Sequence, residues 1–375
     1  MSFSYGLTNP CSFLNIDTTP PVQQPEFLFA VGPKIYVSND LVNWNSVFTL
    51  SNDGNRIAGF YDGTKYRLFG DSSGSTSTGT IANITYSNNS WSKTESTYTG
   101  TVLSNSQVWY GSMYYPFSNS NVSPSFYVNT YSSVNNGNII NLGTGTQNPS
   151  ASGISVSNRR GLAINTDNGN CACIGSNKLY LNTTGPISSG WSSKQTAPGA
   201  TENTYKYFEN LIYADGKYVA TTIGYYNNAS SNTCYVKTYN NALSSQLGSI
   251  SFSPYQYSTT SGNGGPKVMY DKLNGYYLYV ILIRDRYNAY STNIGWSSNG
   301  TSWTKKSLSG NKTAITNARV ISTSLGIRFI SGRSISTIDY LSSSTPTIST
   351  INVGTNGTYS GSCLIEKVIP QPIVS

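Results

Sequence analysis

The chain has 375 residues, of which only 10% are charged against a typical quarter, while 13% are aromatic, 30 of them Tyr, so a buried core is within reach and wholesale disorder is excluded. It contains no His, which excludes Ser-His-Asp and Cys-His catalysis as normally built and removes the commonest metal ligand and near-neutral proton carrier. The net charge of +8 reflects 15 carboxylates against 23 scattered basic residues, without a basic helix or an RNA-binding signature, so nucleic acid is not an expected partner.

Residues 1–26 carry Pro10, Pro20, Pro21 and Pro25 and read as an extended arm outside the main domain, either an anchor into a neighbouring subunit or capsid or a loose terminus. They lack the basic start and apolar stretch of a secretory leader, and no apolar run in the chain is long enough for a membrane helix, so membrane insertion is not expected. The remainder, 27–375, reads as a single all-β domain built on a weak recurrence of roughly 45 to 50 residues, the range of propellers and solenoids. Sustained helical periodicity is absent, and Gly and Pro punctuate the chain densely.

Phe27–Leu50 holds a strand and then a polar hairpin, Tyr36–Asn45 (YVSNDLVNWN). Arg56–Asp71 (RIAGFYDGTKYRLFGD) is an apolar strand, an Asp-Gly turn and a second strand, the strongest short-range hairpin signal. The same half-unit recurs at Gly161–Ser176, Leu211–Tyr225 (LIYADGKYVATTIGY), Lys267–Arg284 (KVMYDKLNGYYLYVILIR) and Val320–Arg333. The polar hairpin, a strand ending in Ser followed by a short turn and Trp, recurs at Tyr86–Ser92 and Gly295–Thr304 (GWSSNGTSWT). The complete units run 55–98, 105–147, 152–196, 205–253, 265–309 and 314–353, the second being the least regular. The incomplete start, Phe27–Leu50, and a lone strand at Tyr359–Ile369 complement one another and predict a last blade shared by both ends. The expected fold is therefore a closed β-propeller of about seven four-stranded blades, with six as the alternative count.

The two polar hairpins with Ser38, Asp40 and Trp44, and with Ser297, Asn299 and Trp303, resemble the Asp-box hairpins of sialidase-like propellers, one residue shorter than the usual box and with Asn for Asp in the second copy. The resemblance implies fold and a structural role for these six residues. The run from Ser38 to Trp44 is also similar to the S-x-D-L-x-x-W hairpin of five-bladed arabinanase- and xylosidase-type glycosidases. The Asp-box resemblance invites a glycosidase, for which Asp285, Glu202, Glu209 and Asp215 with Arg284, Arg286 and Arg328 are the candidates, but the Arg-Ile-Pro signature of sialidases is missing; the arabinanase-type resemblance implies three catalytic acids at strand starts near the axis, to which no residues of this chain are assigned.

The five cysteines, Cys11, Cys171, Cys173, Cys234 and Cys363, do not form C-x-x-C spacings, so no metal or cofactor is expected. A bridge between Cys11 and Cys363 would tie the two chain ends together. Function is expected on the longer connections between blade strands, where Tyr225, Tyr226, Arg284, Arg286, Tyr287 and Tyr290 supply rings that stack on sugars or anchor proteins and forks that grip carboxylates. The resulting expectation is a non-enzymatic virion-surface or extracellular protein attaching to a host glycan or surface protein, with other surface subunits as partners through the arm. A secreted glycosidase or lectin is the alternative.

Overall fold

The structure, a computed structural model, describes residues 25–51, 56–61, 64–71, 78–99, 107–109, 112–117, 125–130, 162–165, 167–168, 170–175, 178–183, 191–197, 205–225, 233–252, 267–284, 290–308, 315, 318–341, 345–354 and 361–367. At some strand positions, Tyr225, Arg284 and Tyr290 among them, the description is of the backbone alone.

Short apolar runs separated by Gly-, Asn- and Asp-bearing turns give antiparallel meanders, because the turns reverse the chain before a run can extend. Blade 1 takes β1 (Phe27–Val31), β2 (Lys34–Ser38) and β3 (Asn45–Thr49) from one end of the chain and β27 (Ser362–Glu366) from the other, in the order β27-β1-β2-β3. Blade 2 is β4 (Arg56–Tyr61), β5 (Tyr66–Asp71), β6 (Thr78–Ser87) and β7 (Ser90–Thr99). Blade 3 shows β8 (Gln107–Trp109), β9 (Ser112–Phe117) and β10 (Ser125–Thr130), three strands among the described residues.

Blade 4 is β11 (Leu162–Ile164), β12 (Cys171–Gly175), β13 (Lys178–Asn182) and β14 (Ser192–Thr196). Blade 5 is β15 (Tyr205–Ala214), β16 (Lys217–Tyr225), β17 (Cys234–Asn240) and β18 (Gln246–Phe252). Blade 6 is β19 (Lys267–Asp271), β20 (Tyr276–Arg284), β21 (Tyr290–Ser297) and β22 (Thr304–Ser307). Blade 7 is β23 (Arg319–Thr323), β24 (Gly326–Ser331), β25 (Ser334–Asp339) and β26 (Thr347–Asn352). Seven sheets are thus described, and the expected sharing of one blade by both chain ends is observed: Leu28 pairs with Ile365 and Phe29 with Leu364. Cys363 lies buried in that strand, while Cys11 falls outside the described residues.

Polarity rises from the hub outward. The β1 sequence FLFAV is buried along its whole length, since both faces of an inner strand meet neighbouring blades, whereas the outer strands β14 (SSKQT) and β22 (TKKS) are largely exposed. First strands of successive blades lie against one another, β27 on β4, β4 on β8, β11 on β15, β15 on β19 and β19 on β23. Between blades, separate apolar clusters fill the wedges: Leu28, Leu68 and Ile365 join blades 1 and 2, and Phe29, Ile330 and Leu364 join blades 7 and 1. The junction of blades 3 and 4 falls outside the described residues.

This topology sorts the connections. Turns between first and second strands and between third and fourth strands share one face, the hairpin face; second-to-third connections and blade-to-blade crossings share the other, the loop face. The chain enters at the hairpin face, where the Glu26 N–H donates to Asn39 Oδ1 (3.0 Å) and the Tyr66 hydroxyl donates to the Pro25 carbonyl (2.7 Å). It leaves at the same face, where the Lys367 N–H donates to the Glu26 carbonyl (2.7 Å). Residues 1–24 of the expected arm lie outside the described residues.

Candidate functional site

Two hairpin-face turns are built alike. In blade 1, Ser38 Oγ accepts the N–H groups of Asp40 (3.1 Å) and Leu41 (2.9 Å) and donates to Asp40 Oδ1 (3.0 Å). Asp40 Oδ1 then accepts the N–H groups of Val42 (2.9 Å) and Asn43 (2.7 Å). In blade 6, Ser297 Oγ accepts from Asn299 (3.3 Å) and Gly300 (2.8 Å), and Asn299 Oδ1 accepts from Thr301 (2.8 Å) and Ser302 (2.9 Å). The third turn residue is left-handed in both, Leu41 at φ 60° and Gly300 at φ 73°.

Trp44 packs on Phe29 with ring centroids 5.5 Å apart, and Trp303 on Tyr279 at 5.4 Å. The Trp303 indole also donates to the Gly300 carbonyl (3.1 Å). The Asn43 and Val42 N–H groups, with the Asn43 amide, hold the Asp40 carboxyl well below the usual carboxylate range. Asn299 fills the same place without a charge, so the position is an acceptor that organises a turn. The hairpin at Tyr86–Ser92 differs: Asn88 and Asn89 both take positive φ, 50° and 58°, in a two-residue turn between the paired Ser87 and Ser90.

On the loop face the blades are uneven. Blades 1 and 7 close tightly, with only Gly32–Pro33 and Gly332–Arg333 between their second and third strands, and in blade 4 two residues separate β12 from β13. In blade 6 the β20–β21 ladder continues to Arg284 opposite Tyr290, and in blade 5 the β15–β16 ladder continues to Tyr205 opposite Tyr225. The strand ends Tyr225, Arg284 and Tyr290, far apart in sequence, therefore stand on one face of adjoining blades. Tyr226, Arg286 and Tyr287 fall outside the described residues, in the connections these strands bracket.

Of the acids of the glycosidase alternative, Asp215 is the one whose side chain is described, and it lies away from that face. Asp215 sits in the hairpin-face turn of blade 5 at φ 47°, with Lys217 Nζ 2.9 Å from its carboxylate, at the opposite end of β16 from Tyr225. Arg328 lies within blade 7, its guanidinium donating to the Ile327 carbonyl (3.1 Å) while burial lowers its pKa. Glu202 and Asp285 lie outside the described residues, and Glu209 is described in backbone only. Among the described residues, no group of three His, Cys, Asp or Glu side chains is placed to hold a metal. No helix in them is long and apolar enough to cross a membrane.

One acid escaped the sequence reading. Asp271, 2% exposed, accepts from the Leu273 N–H (3.0 Å), the Asn274 amide (2.8 Å) and, across the junction from blade 7, the Tyr340 hydroxyl (2.6 Å). Its place ahead of Asn274-Gly275 is the available signal for the turn; the partner on another blade has none.

No protein-family model matches the chain, and no curated protein matches it. Among solved structures it is similar to apo AztD from Citrobacter koseri, at 12% identity over 90% of this chain and 96% of that one, with a TM-score of 0.46. It is also similar to a subtype N11 neuraminidase-like protein of a flat-faced bat strain from Peru, at 11% identity over 89% and 99% of the two chains (TM-score 0.32). An alpha-L-arabinofuranosidase from Clostridium thermocellum gives 10% identity over 71% and 93% (TM-score 0.29).

Proposed function

We propose that the protein is a non-enzymatic structural propeller of a virion surface or other extracellular surface, attaching to a host glycan or surface protein through the loop face of blades 5 and 6. The observation that carries this is the polarity of the ring. The chain enters at the hairpin face through Pro25 and Glu26, while the strand ends Tyr225, Arg284 and Tyr290, which bracket the Tyr- and Arg-bearing connections, stand on the opposite face. An arm engaging neighbouring subunits from the hairpin face leaves the loop face presented outward. Tyr rings give large contact area at low entropic cost, and Arg forks match carboxylates in two hydrogen bonds. Asp-box-like turns serve this design as rigid stops on the anchored side.

The test is a glycan array beside a panel of chromogenic glycosides. Binding without turnover, reduced tenfold or more in Arg284→Ala and Arg286→Ala with the melting temperature unchanged, is the expected outcome. Hydrolysis abolished by Asp285→Asn would replace this reading with the glycosidase. Mass spectrometry of purified particles addresses the virion location directly.

A further inference from the structure

Four asparagines that open N-x-S/T sequons are described, Asn83, Asn88, Asn182 and Asn299, and the fold treats them unequally. Such a sequon takes a glycan where its amide and its hydroxyl-bearing third residue can be reached together. Asn83 is 7% exposed in the middle of β6, laddered to β5 on one side and β7 on the other. Its Oδ1 accepts from the buried Arg67 guanidinium (3.0 Å), which leaves no path for a sugar. Asn182 ends β13 with no exposed surface. Asn299 is exposed, but its Oδ1 holds the N–H groups of Thr301 (2.8 Å) and Ser302 (2.9 Å). Thr301, the third residue of that sequon, is wedged against blade 5, where a Cβ at Gly248 would stand 2.6 Å from its Cα.

Asn88 differs on every count. Asn88 and Asn89, at φ 50° and 58°, form the two-residue turn between the paired Ser87 and Ser90, and all four residues are exposed. Among the described residues the Asn88 amide has no hydrogen-bond partner. The turn joins the third and fourth strands of blade 2, which places it toward the rim of the ring. Behind it stand Tyr86 and Trp91, the next cross-strand pair, half-buried with ring centroids 4.8 Å apart. Such rings offer an apolar surface on which a sugar face can pack.

We propose that Asn88 is an N-glycosylation site, taking an oligosaccharide from a polyprenyl phosphate or diphosphate carrier. In that step Asn88 Nδ2 forms a bond to C1 of the first sugar and gives up one proton to solvent. The C1–O bond to the carrier breaks, and the carrier leaves as its lipid phosphate or diphosphate. The Ser90 hydroxyl is the feature the transferase reads, and the turn presents it beside the amide. The proposal rests on the extracellular part of the preceding reading, because such carriers deliver sugars on the exporting side of a membrane. For the test, the full chain is given a cleavable secretory leader and expressed in a eukaryotic host. Peptide N-glycosidase in heavy-oxygen water then marks each former glycan site as labelled Asp. Asn88 should be marked in most molecules, and Asn83, Asn182 and Asn299 in almost none. Ser90→Ala should abolish the mark while keeping Asn88, which separates glycosylation from spontaneous deamidation. A secreted chain with Asn88 bare, or a mark that survives Ser90→Ala, overturns the site and leaves the surface reading standing. Failure of glycan-array binding does the reverse.

Discussion

Asp40 and Asn299 do the same work with different charge, and this separates geometry from electrostatics at the scale of single residues. Each offers one oxygen to two successive backbone N–H groups, an arrangement that organises the turn. In Asp40→Asn the turn is expected to persist, with a melting temperature modestly below wild type at pH 7. The acid response should differ. Because native Asp40 is held below the ordinary carboxylate range, its charge contributes stability that is fully present above about pH 5 and is lost as pH falls through that range and beyond. The wild-type advantage over Asp40→Asn should therefore shrink in acid and not in base, as thermal melts at stepped pH will show. Ser297→Ala removes an acceptor used by two N–H groups and is expected to cost about 1 kcal/mol, read from the urea midpoint.

At the scale of elements, much was legible because strand and turn are local matters. Asp-Gly and Asn-Gly between alternating runs located the hairpins in blades 2, 5 and 6, and the Ser-x-Asp/Asn pattern located two capped turns. What stayed hidden depends on neighbours distant in sequence. Arg67 is 1% exposed in β5, donating to Asn83 Oδ1 (3.0 Å), yet nothing in Tyr66-Arg67-Leu68 announces a buried cation. Likewise Gly248 reads as one more turn-rich glycine, although a Cβ there would stand 2.6 Å from the Thr301 Cα of blade 6. It is the notch that admits the neighbouring capped turn. Gly248→Ala must push backbone away from backbone and is expected to cost about 1–3 kcal/mol with an unchanged denaturant slope. The same substitution at Gly216, where no atom lies within 4 Å of a Cβ, meets only the strain of φ 72°.

For the whole molecule, closure of the ring is the decisive event, and it was foreseeable from two incomplete units that complete one another. The seal is non-covalent among the described residues: β27 pairs with β1 through five residues, and Ile365 packs so closely on β4 that a Cβ at Gly59 would stand 2.5 Å from its Cδ1. A ring opens where its chain is not continuous, so the seam between β27 and β1 is the expected site of first unfolding. Ile365→Ala removes buried methyl groups at that seam and should cost about 2–5 kcal/mol. The Lys367 N–H lies 2.7 Å from the Glu26 carbonyl, close enough for a short Gly-Ser linker to join Lys367 to Glu26 once new ends are opened within residues 309–314, between blades 6 and 7. In that permuted chain the seam is covalent, and Ile365→Ala should lose far less kinetic stability than in the natural order. Unfolding rates of the four proteins, natural and permuted with and without the substitution, decide the matter. If Ile365→Ala accelerates unfolding equally in both, the ring opens elsewhere and the shared blade is not its weakest joint.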